Sequence, residues 1–269
     1  MILKGRGLSK GTGEANLIVS SEPVSFLGGV DAKSGRIIDE RSDVFGESIA
    51  GKVFAFPSGK GSTVGSYVLY GLVINDCAPV AILNERSEVV VTVGVIISGI
   101  PLVDCLDLSL LRTGDMVEVN GDEGSVNVEG VEEVHVVTSF LENEGKILLL
   151  KRSELVGTYQ GMWAGISGYL EKGDEAVERA VIEIEEEVGI SSPRLLKEGK
   201  PVSSRDENTL WVVHPFLFHV DSPKVKLDWE HKEHKWIPQS QIPEFETVPR
   251  LIKAFEAVVQ GLRHEDGER

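Results

Sequence analysis

Gly168-Tyr-Leu-Glu-Lys-Gly-Asp-Glu-Ala-Val-Glu-Arg-Ala-Val-Ile-Glu-Ile-Glu-Glu-Glu-Val-Gly-Ile190 decides the fold of the second half of the chain. Glu183, Glu186 and Glu187 are three and four residues apart, a spacing that brings side chains to one face of a helix. We therefore predict a helix over residues 175–188. Its opposite, core-facing side is formed by the apolar residues Ala176, Ala180, Ile184 and Val188.

Three converging carboxylates repel one another unless a cation lies between them. Oxygen ligands of this kind suit a hard divalent cation such as Mg²⁺, together with the phosphates of a substrate. The alternative is an acidic helix that faces only water, which is common in proteins. The flanking sequence favours the metal site.

The same stretch resembles the Nudix box, G-x5-E-x7-R-E-U-x-E-E-x-G-U. The residues in register are Gly168, Glu183, Ile184, Glu186, Glu187, Gly189 and Ile190. Asp174 stands in place of the first Glu of the box, and Ile182 in place of its Arg. Arg179, one turn earlier, is a candidate to replace that Arg.

The Nudix resemblance implies an α/β fold, a mixed sheet sandwiched by helices, over residues 131–269. It also implies Mg²⁺-dependent hydrolysis of a phosphoanhydride, with Glu186 and Glu187 as metal ligands. Glu183 is a ligand or the catalytic base, and Asp174 and Glu233 are further possible ligands.

Other segments of the second half fit the same fold. Residues 131–138, 146–152 and 233–237 are predicted strands, and residues 161–168 form a loop that enters the box. Trp163, Trp211 and Phe216 either stack on a base or belong to the core. The histidines at 135, 214, 219, 231 and 234 receive no role, and the tail 264–269 is expected to be frayed.

The first half is rich in Gly, Val and Ile, and its short apolar runs end at glycine turns. Residues 53–56, 79–83 and 89–97 are predicted to be buried strands, whereas residues 63–72 have helical spacing. A closing hairpin follows at residues 113–121, where Asn120-Gly121 is a strong turn signal. This first domain is expected to cover residues 1–130.

The segment Phe56-Pro-Ser-Gly-Lys-Gly-Ser-Thr-Val-Gly-Ser-Tyr67 joins a strand to a helix. Backbone N–H groups of such a loop, together with the positive end of the helix, can bind an anion or stabilise a deprotonated hydroxyl. Lys60 precedes Gly61 rather than a hydroxyl residue, so the segment is not a Walker P-loop. From spacing alone, an anion-binding loop and a simple glycine-rich turn are about equally favoured.

Four separated segments resemble the small subunit of the aconitase X family. They are Phe26-Leu-Gly-Gly-Val-Asp31, Gly46-Glu-Ser48, the loop just quoted, and Gly99-Ile-Pro-Leu-Val-Asp104. The resemblance implies a swivelling β/α domain that pairs with a large subunit carrying a [4Fe-4S] cluster. It also places the family's proton-accepting serine at Ser62. Spacing alone leaves Ser58, Thr63 and Ser66 open, and the loop residues Ser58, Gly59, Lys60, Gly61 and Thr63 are expected to hold substrate.

Members of that family dehydrate phosphomevalonate in a mevalonate pathway, or a hydroxyproline in bacterial relatives. Anti elimination of water needs a base for the proton α to a carboxylate and a Lewis acid for the leaving hydroxyl. Ser62 would be the base and the cluster the Lewis acid. Gly28, Gly29 and Asp31 either form a second wall of the site or, as we favour, a tight turn capped by Asp31.

Composition limits the function further. The net charge of −16 and the lack of clustered cations disfavour a nucleic-acid partner. Cys77 and Cys105 are the only cysteines, too few for a self-contained cluster, and they are expected to be buried apolar residues. The sequence shows no signal peptide and no membrane span, so a cytoplasmic location is expected.

Two hypotheses follow for the whole chain. In the first, a dehydratase subunit that forms a heterodimer with a large subunit is fused to an independent Nudix hydrolase acting on a small phosphorylated substrate. In the second, the Nudix half senses a diphosphate metabolite and regulates the dehydratase. Ile182 and Asp174, which depart from the box, keep the second hypothesis open.

Overall fold

The computed structural model describes residues 1–260, so the expectation for the tail 264–269 lies outside the described residues. The chain divides into two compact units, Met1–Val131 and Glu132–Arg269. No helix within residues 1–260 is long and apolar enough to cross a bilayer.

The first unit is built on an eight-stranded sheet in the order β1-β8-β7-β3-β4-β5-β6-β2. Its elements in chain order are β1 (Ile2–Lys4), β2 (Arg6–Ser9), β3 (Thr12–Val19), β4 (Val53–Phe56), α1 (Gly65–Ile74), β5 (Ala81–Asn84), α2 (Val89–Ser98), β6 (Leu102–Asp104), β7 (Met116–Asn120) and β8 (Ser125–Val128).

Strands β3, β4, β5 and β6 are parallel neighbours, and the helices cross over between them. Every residue of β4 and β5 is buried, as expected for apolar strands covered on both faces. Phe54, Phe56 and Ile82 lie in the core with Leu69 of α1. Burying each such side chain stabilises the fold by about 1.5–3 kcal/mol.

The prediction of a strand over residues 89–97 is wrong, because this segment is the helix α2. A short apolar run does not distinguish a buried strand from a helix. Burial decides the matter: Val91, Gly94 and Val95 are buried, at helical spacing. Gly99 then ends the helix in the left-handed conformation.

The predicted helix at 63–72 is confirmed with a shift of two residues, and the closing hairpin is β7 and β8. The hairpin turn is longer than the Asn-Gly pair alone. Asn120 Oδ1 accepts hydrogen bonds from the backbone N–H groups of Asp122 and Glu123.

The second unit is a mixed sheet with a helix on each face, as predicted. Strand β9 is parallel to β15, and the other pairings are antiparallel. The elements are β9 (Glu132–Asn143), β10 (Lys146–Arg152), β11 (Trp163–Ala164), β12 (Ile166–Tyr169), α3 (Ala176–Val188), β13 (Arg194–Glu198), β14 (Val202–Asp206), β15 (Thr209–His219), β16 (His231–Pro238) and α4 (Leu251–Val259).

Alternation along the strands assigns the two faces. Leu148 and Phe218 pack with Ile184 of α3 on one side. Leu149 and Leu217 pack with Phe255 and other residues of α4 on the opposite side. The acidic helix α3 is therefore fixed to the sheet by its apolar stripe, and its carboxylates are held against the neighbouring strand β12.

Candidate functional site

The loop between β4 and α1 is anchored at its start to a neighbouring segment. Val24 donates its N–H to the Ser58 carbonyl at 3.0 Å, and its own carbonyl accepts from the Lys60 N–H at 2.9 Å. Gly61 has a φ of 104°, which favours glycine. These constraints fix the path of the chain just before Ser62.

Ser62 is exposed, and its carbonyl accepts the Gly65 N–H at 2.9 Å where α1 begins. Its Oγ accepts a hydrogen bond from the Val64 N–H at 3.3 Å. A hydroxyl oxygen that accepts an N–H near a helix N-terminus is in surroundings that favour its deprotonated form.

The neighbouring hydroxyls differ from Ser62. Ser66 is buried, and its Oγ donates to the Thr63 carbonyl at 2.8 Å. Ser66 therefore closes the first turn of α1. Lys60 is exposed and lines a cavity with Ser25, Gly29 and Arg41.

Asp31 and Asp104, which end two of the other motifs of the first half, make hydrogen bonds within the fold. Asp31 caps a turn by accepting from Ser34 Oγ and the Lys33 N–H, and these bonds lower its pKa. Asp104 is fully buried and accepts two hydrogen bonds from Arg6. Cys77 is buried, whereas Cys105 is exposed, contrary to the expectation that both are buried.

In the second half, two of the three box glutamates face inward. Glu183 and Glu187 are buried, whereas Glu186 is exposed. The prediction that the carboxylates lie opposite the apolar stripe is therefore wrong for the buried pair. Glu183 and Glu187 directly precede Ile184 and Val188 of the apolar stripe in the chain, and so lie at its edge on the helix.

Strand β12 receives both buried carboxylates. Glu187 Oε1 accepts the Ser167 N–H at 3.1 Å. Glu183 lies directly on Gly168, where an added Cβ would overlap the Glu183 carboxylate. Glycine at the start of the box thus makes room for the glutamate.

Arg179 forms an ion pair with Glu183 across one turn of α3. Arg179 thus provides a guanidinium on α3, where Ile182 occupies the position of the arginine of the box. Ile182 itself is 45% exposed.

Ionisation of Glu183 and Glu187 is unfavourable when no metal cation lies between them. Burial, and next the repulsion from Glu183, raise the pKa of Glu187 well above its usual value. Burial also raises the pKa of Glu183, opposed by Arg179. Glu187 Oε2 is buried and has no hydrogen-bond partner within residues 1–260.

The structure separates the two further predicted ligands from this pair. Asp174 is exposed and accepts the Glu171 N–H at 3.0 Å in the turn before α3. Glu233 is ion-paired with Lys235 and Lys151. It shares a face of β16 with Ile237, which packs on the α4 side of the sheet.

Sequence reasoning missed the segment that precedes β16. His231 is buried, with its Nδ1 3.3 Å from Asp228 Oδ1 and 3.6 Å from Glu187 Oε2. Burial lowers the pKa of His231, opposed by its hydrogen bond to Asp228. Burial, then Asp228, raise the pKa of Glu230. The signal was the run Asp228-Trp-Glu-His231, which places three polar side chains where β16 begins.

A cavity of about 150 Å³ is lined by Glu230 and by Ser167 and Gly168, the two residues of β12 that contact Glu187 and Glu183. Tyr169 and Trp211 line it with ring centroids 6.2 Å apart. Trp163 and Phe216 are buried core residues instead. The remaining polar lining residues are Thr138, Arg152, Thr158, Tyr159, Ser204 and Glu230.

The donor set fits a hard divalent cation, although the side chains do not close around one. Glu183, Glu187 and Glu230 supply carboxylate oxygens, and burial is the main cause of the raised pKa of each. Among residues 1–260, no three His, Cys, Asp or Glu side chains are arranged to hold an ion.

Two family models match the chain. The aconitase X swivel domain matches residues 2–128, and the NUDIX domain matches residues 133–258. The phosphomevalonate dehydratase small subunit of Pyrococcus furiosus is 54% identical over 128 residues, which are 48% of this chain and 96% of that protein. The corresponding protein of Thermococcus onnurineus is 56% identical over 129 residues, which are 48% of this chain and 99% of that protein.

Solved structures are similar to each half. Aconitase X of Thermococcus kodakaraensis, in its holo-form, is 52% identical with a TM-score of 0.47, and the match covers 48% of this chain and 98% of that one. A MutT protein from Methanosarcina mazei Go1 is 27% identical with a TM-score of 0.41, and the match covers 47% of this chain and 92% of that one.

Proposed function

Because this chain belongs to the aconitase X swivel-domain family over residues 2–128 and carries a NUDIX domain over residues 133–258, we propose that it is a phosphomevalonate dehydratase small subunit fused to a Mg²⁺-dependent phosphoanhydride hydrolase. The observation that carries the first part is the 54% identity over nearly the whole length of a phosphomevalonate dehydratase small subunit.

In the dehydratase, Ser62 takes the proton α to the substrate carboxylate. The Val64 N–H and the start of α1 stabilise the Ser62 alkoxide before it takes this proton, a stabilisation that a free serine lacks. A [4Fe-4S] cluster on the large subunit would supply the Lewis acid for the leaving hydroxyl. Lys60, which is exposed beside Ser62 in the sequence, provides positive charge for the anionic substrate.

The hydrolase site consists of Glu183, Glu187 and Glu230 beside the cavity, with Glu186 at the exposed edge. These carboxylates would hold Mg²⁺, which would supply neutralisation of phosphate charge and activation of water. Arg179 orients Glu183 in place of the arginine replaced by Ile182. Glu183, which lies on Gly168 of β12, is then a ligand or the base.

The aromatic lining supports a substrate with a planar group. Tyr169 and Trp211 present ring surface to the cavity, and Arg152 adds a cation beside Glu230. Such a lining suits a nucleoside diphosphate linked to another group, because a base can stack on the rings. A prenyl diphosphate has no comparable planar group.

Two assays on the full chain test this proposal. Dehydration of phosphomevalonate is followed after adding the P. furiosus large subunit, and formation of the monophosphate products is followed with Mg²⁺ and ADP-ribose, nucleotide sugars or prenyl diphosphates. Dehydration, together with hydrolysis of at least one nucleotide substrate, is expected. Tight binding of these diphosphates without hydrolysis would instead make the second half a sensor.

A further inference from the structure

Helices α1 and α2 form an uncharged layer on an otherwise acidic protein. Neither the ten residues of α1 nor the ten of α2 include Asp, Glu, Lys or Arg, although the whole chain has a net charge of −16. The helices pack side by side, with Gly94 of α2 directly against Leu69 of α1. Their outward faces therefore lie next to each other.

Large apolar side chains cover these outward faces. Each is between 45% and 75% exposed. On the α1 side they are Val64, Tyr67, Tyr70 and Ile74, and on α2 they are Val89, Val93, Ile96 and Ile97. We call these eight residues the apolar layer.

The exposed area of the apolar layer is large enough for a stable interface. It amounts to about 800 Å², the area that one partner contributes to a standard protein–protein interface. A patch of this size also exceeds what monomeric proteins usually expose. Its lack of charge is typical of permanent complexes rather than transient ones.

The layer is continuous with the Ser62 loop. Val64 and Tyr67 follow Ser62 directly in the chain. At the other helix, Gly59 of the loop lies against Glu88 and Val91, so the start of α2 is also beside it. A partner chain that places its own active-site residues at Ser62 therefore also covers this end of the apolar layer.

We propose that the apolar layer of α1 and α2 is the docking surface for the cluster-bearing large subunit. This inference rests on the proposed dehydratase function, because that function requires a second chain at Ser62. The subunits then meet along the two helices, and Ser62 is at the margin of the interface, where it faces the substrate.

Single lysines in the layer test this surface. Ile74→Lys and Ile97→Lys each add a charge in the last turn of a helix, where a cation suits the helix dipole, so folding is retained. Ile2→Lys is the matched control, because Ile2 is 60% exposed on the edge strand β1 at the far end of the sheet. Binding of the full-length chain to the P. furiosus large subunit is measured by calorimetry.

We expect Ile74→Lys and Ile97→Lys to raise the Kd at least tenfold, and Ile2→Lys to change it less than about twofold. If all three variants bind as tightly as the unchanged chain, the apolar layer is not the docking surface, but the proposed function is unaffected. If the unchanged chain does not bind while the P. furiosus small subunit does, both the docking surface and the proposed dehydratase function are wrong.

Side-chain labelling of the unchanged protein gives a second readout. Tyr67 and Tyr70 should be labelled severalfold less after the large subunit is added, whereas Tyr169 of the second half, also exposed, should not change. Unchanged labelling of Tyr67 in a complex would contradict the docking surface. A homodimer that Ile97→Lys breaks while large-subunit binding persists would assign the layer to a second copy of this chain.

Discussion

Ser62 is one of four hydroxyl-bearing residues between Phe56 and Tyr67. Spacing did not select among them, and the family resemblance did. Their surroundings now differ: Ser66 is buried and donates its proton within the first turn of α1, whereas Ser62 is exposed and its oxygen accepts an N–H. Three-dimensional burial, which no local pattern encodes, makes this distinction.

Replacing Ser62 by Ala should lower phosphomevalonate dehydration by about 10²–10⁴-fold, the usual contribution of a positioned base. Binding to the large subunit and Nudix hydrolysis should be unchanged. Ser66→Ala is the control, since it removes only the bond to Thr63 and should retain dehydration. Full activity of Ser62→Ala would place the base at another residue.

At Glu187 the proposed metal binding conflicts with the stability of the metal-free fold. Its burial and the proximity of Glu183 make the metal-free fold unfavourable for a carboxylate. Glu187→Gln keeps the shape and the acceptor for the Ser167 N–H, but it removes the charge.

For Glu187→Gln we expect phosphoanhydride hydrolysis to fall at least about 100-fold, because a metal ligand is lost. The metal-free free energy of unfolding should rise by about 1 kcal/mol. All four tryptophans lie in the second half, so their fluorescence during denaturant unfolding reports that half alone. Wild-type hydrolysis with unchanged Mg²⁺ dependence would exclude Glu187 as a ligand.

A histidine pair on the sheet predicts a pH dependence. His135 Nδ1 and His214 Nε2 are 3.0 Å apart across β9 and β15. Burial, and next His135, lower the pKa of His214 below 6.5, opposed by Glu198. The folded state therefore binds a proton less readily than the unfolded state, and stability present above pH 6.5 is lost as the pH falls.

The Tm of the second half, followed by tryptophan fluorescence, should drop between pH 7.5 and 5.5, and His214→Asn should reduce that drop. His234→Asn is the control, because His234 is exposed on β16. An equal drop in the wild type and in His214→Asn would show that another group titrates.

At the scale of elements, periodicity predicted α3 to within a residue and identified β4, β5 and β10. It failed for α2, where valine and isoleucine favour a strand but the crossover between β5 and β6 requires a helix. The site was predicted on α3 and, as one of two alternatives, at Trp211, which lines the cavity. Glu230 and His231 join it through the path of the chain before β16, which no spacing rule in the sequence describes.

The contact of β12 with α3 gives a prediction at this scale. Gly168→Ala places a methyl group on the Glu183 carboxylate, which must move although it is buried and paired with Arg179. Hydrolysis should fall at least about tenfold, while the free energy of unfolding changes by about 1 kcal/mol. Gly157→Ala, whose added Cβ would meet nothing within 4 Å, should leave both unchanged. An active Gly168→Ala would show that the position of Glu183 is not critical.

At the scale of the whole molecule, each unit has its own sheet and its own core, and each matches a separate family. Changes at Ser62 and at Glu187 should therefore each remove a single activity. The sequence has only two cysteines, one buried and one exposed, and our proposal therefore places the cluster of the dehydratase on another chain.

The most direct test of this account is the rate of phosphomevalonate dehydration measured with the full chain and the cluster-loaded P. furiosus large subunit, separately and mixed. Each protein alone should be inactive, and the mixture should turn over substrate as it does with the P. furiosus small subunit. Dehydration by this chain alone, with iron and acid-labile sulfide bound to it stoichiometrically, would contradict the account. So would an inactive mixture in which the P. furiosus small subunit activates the same large subunit.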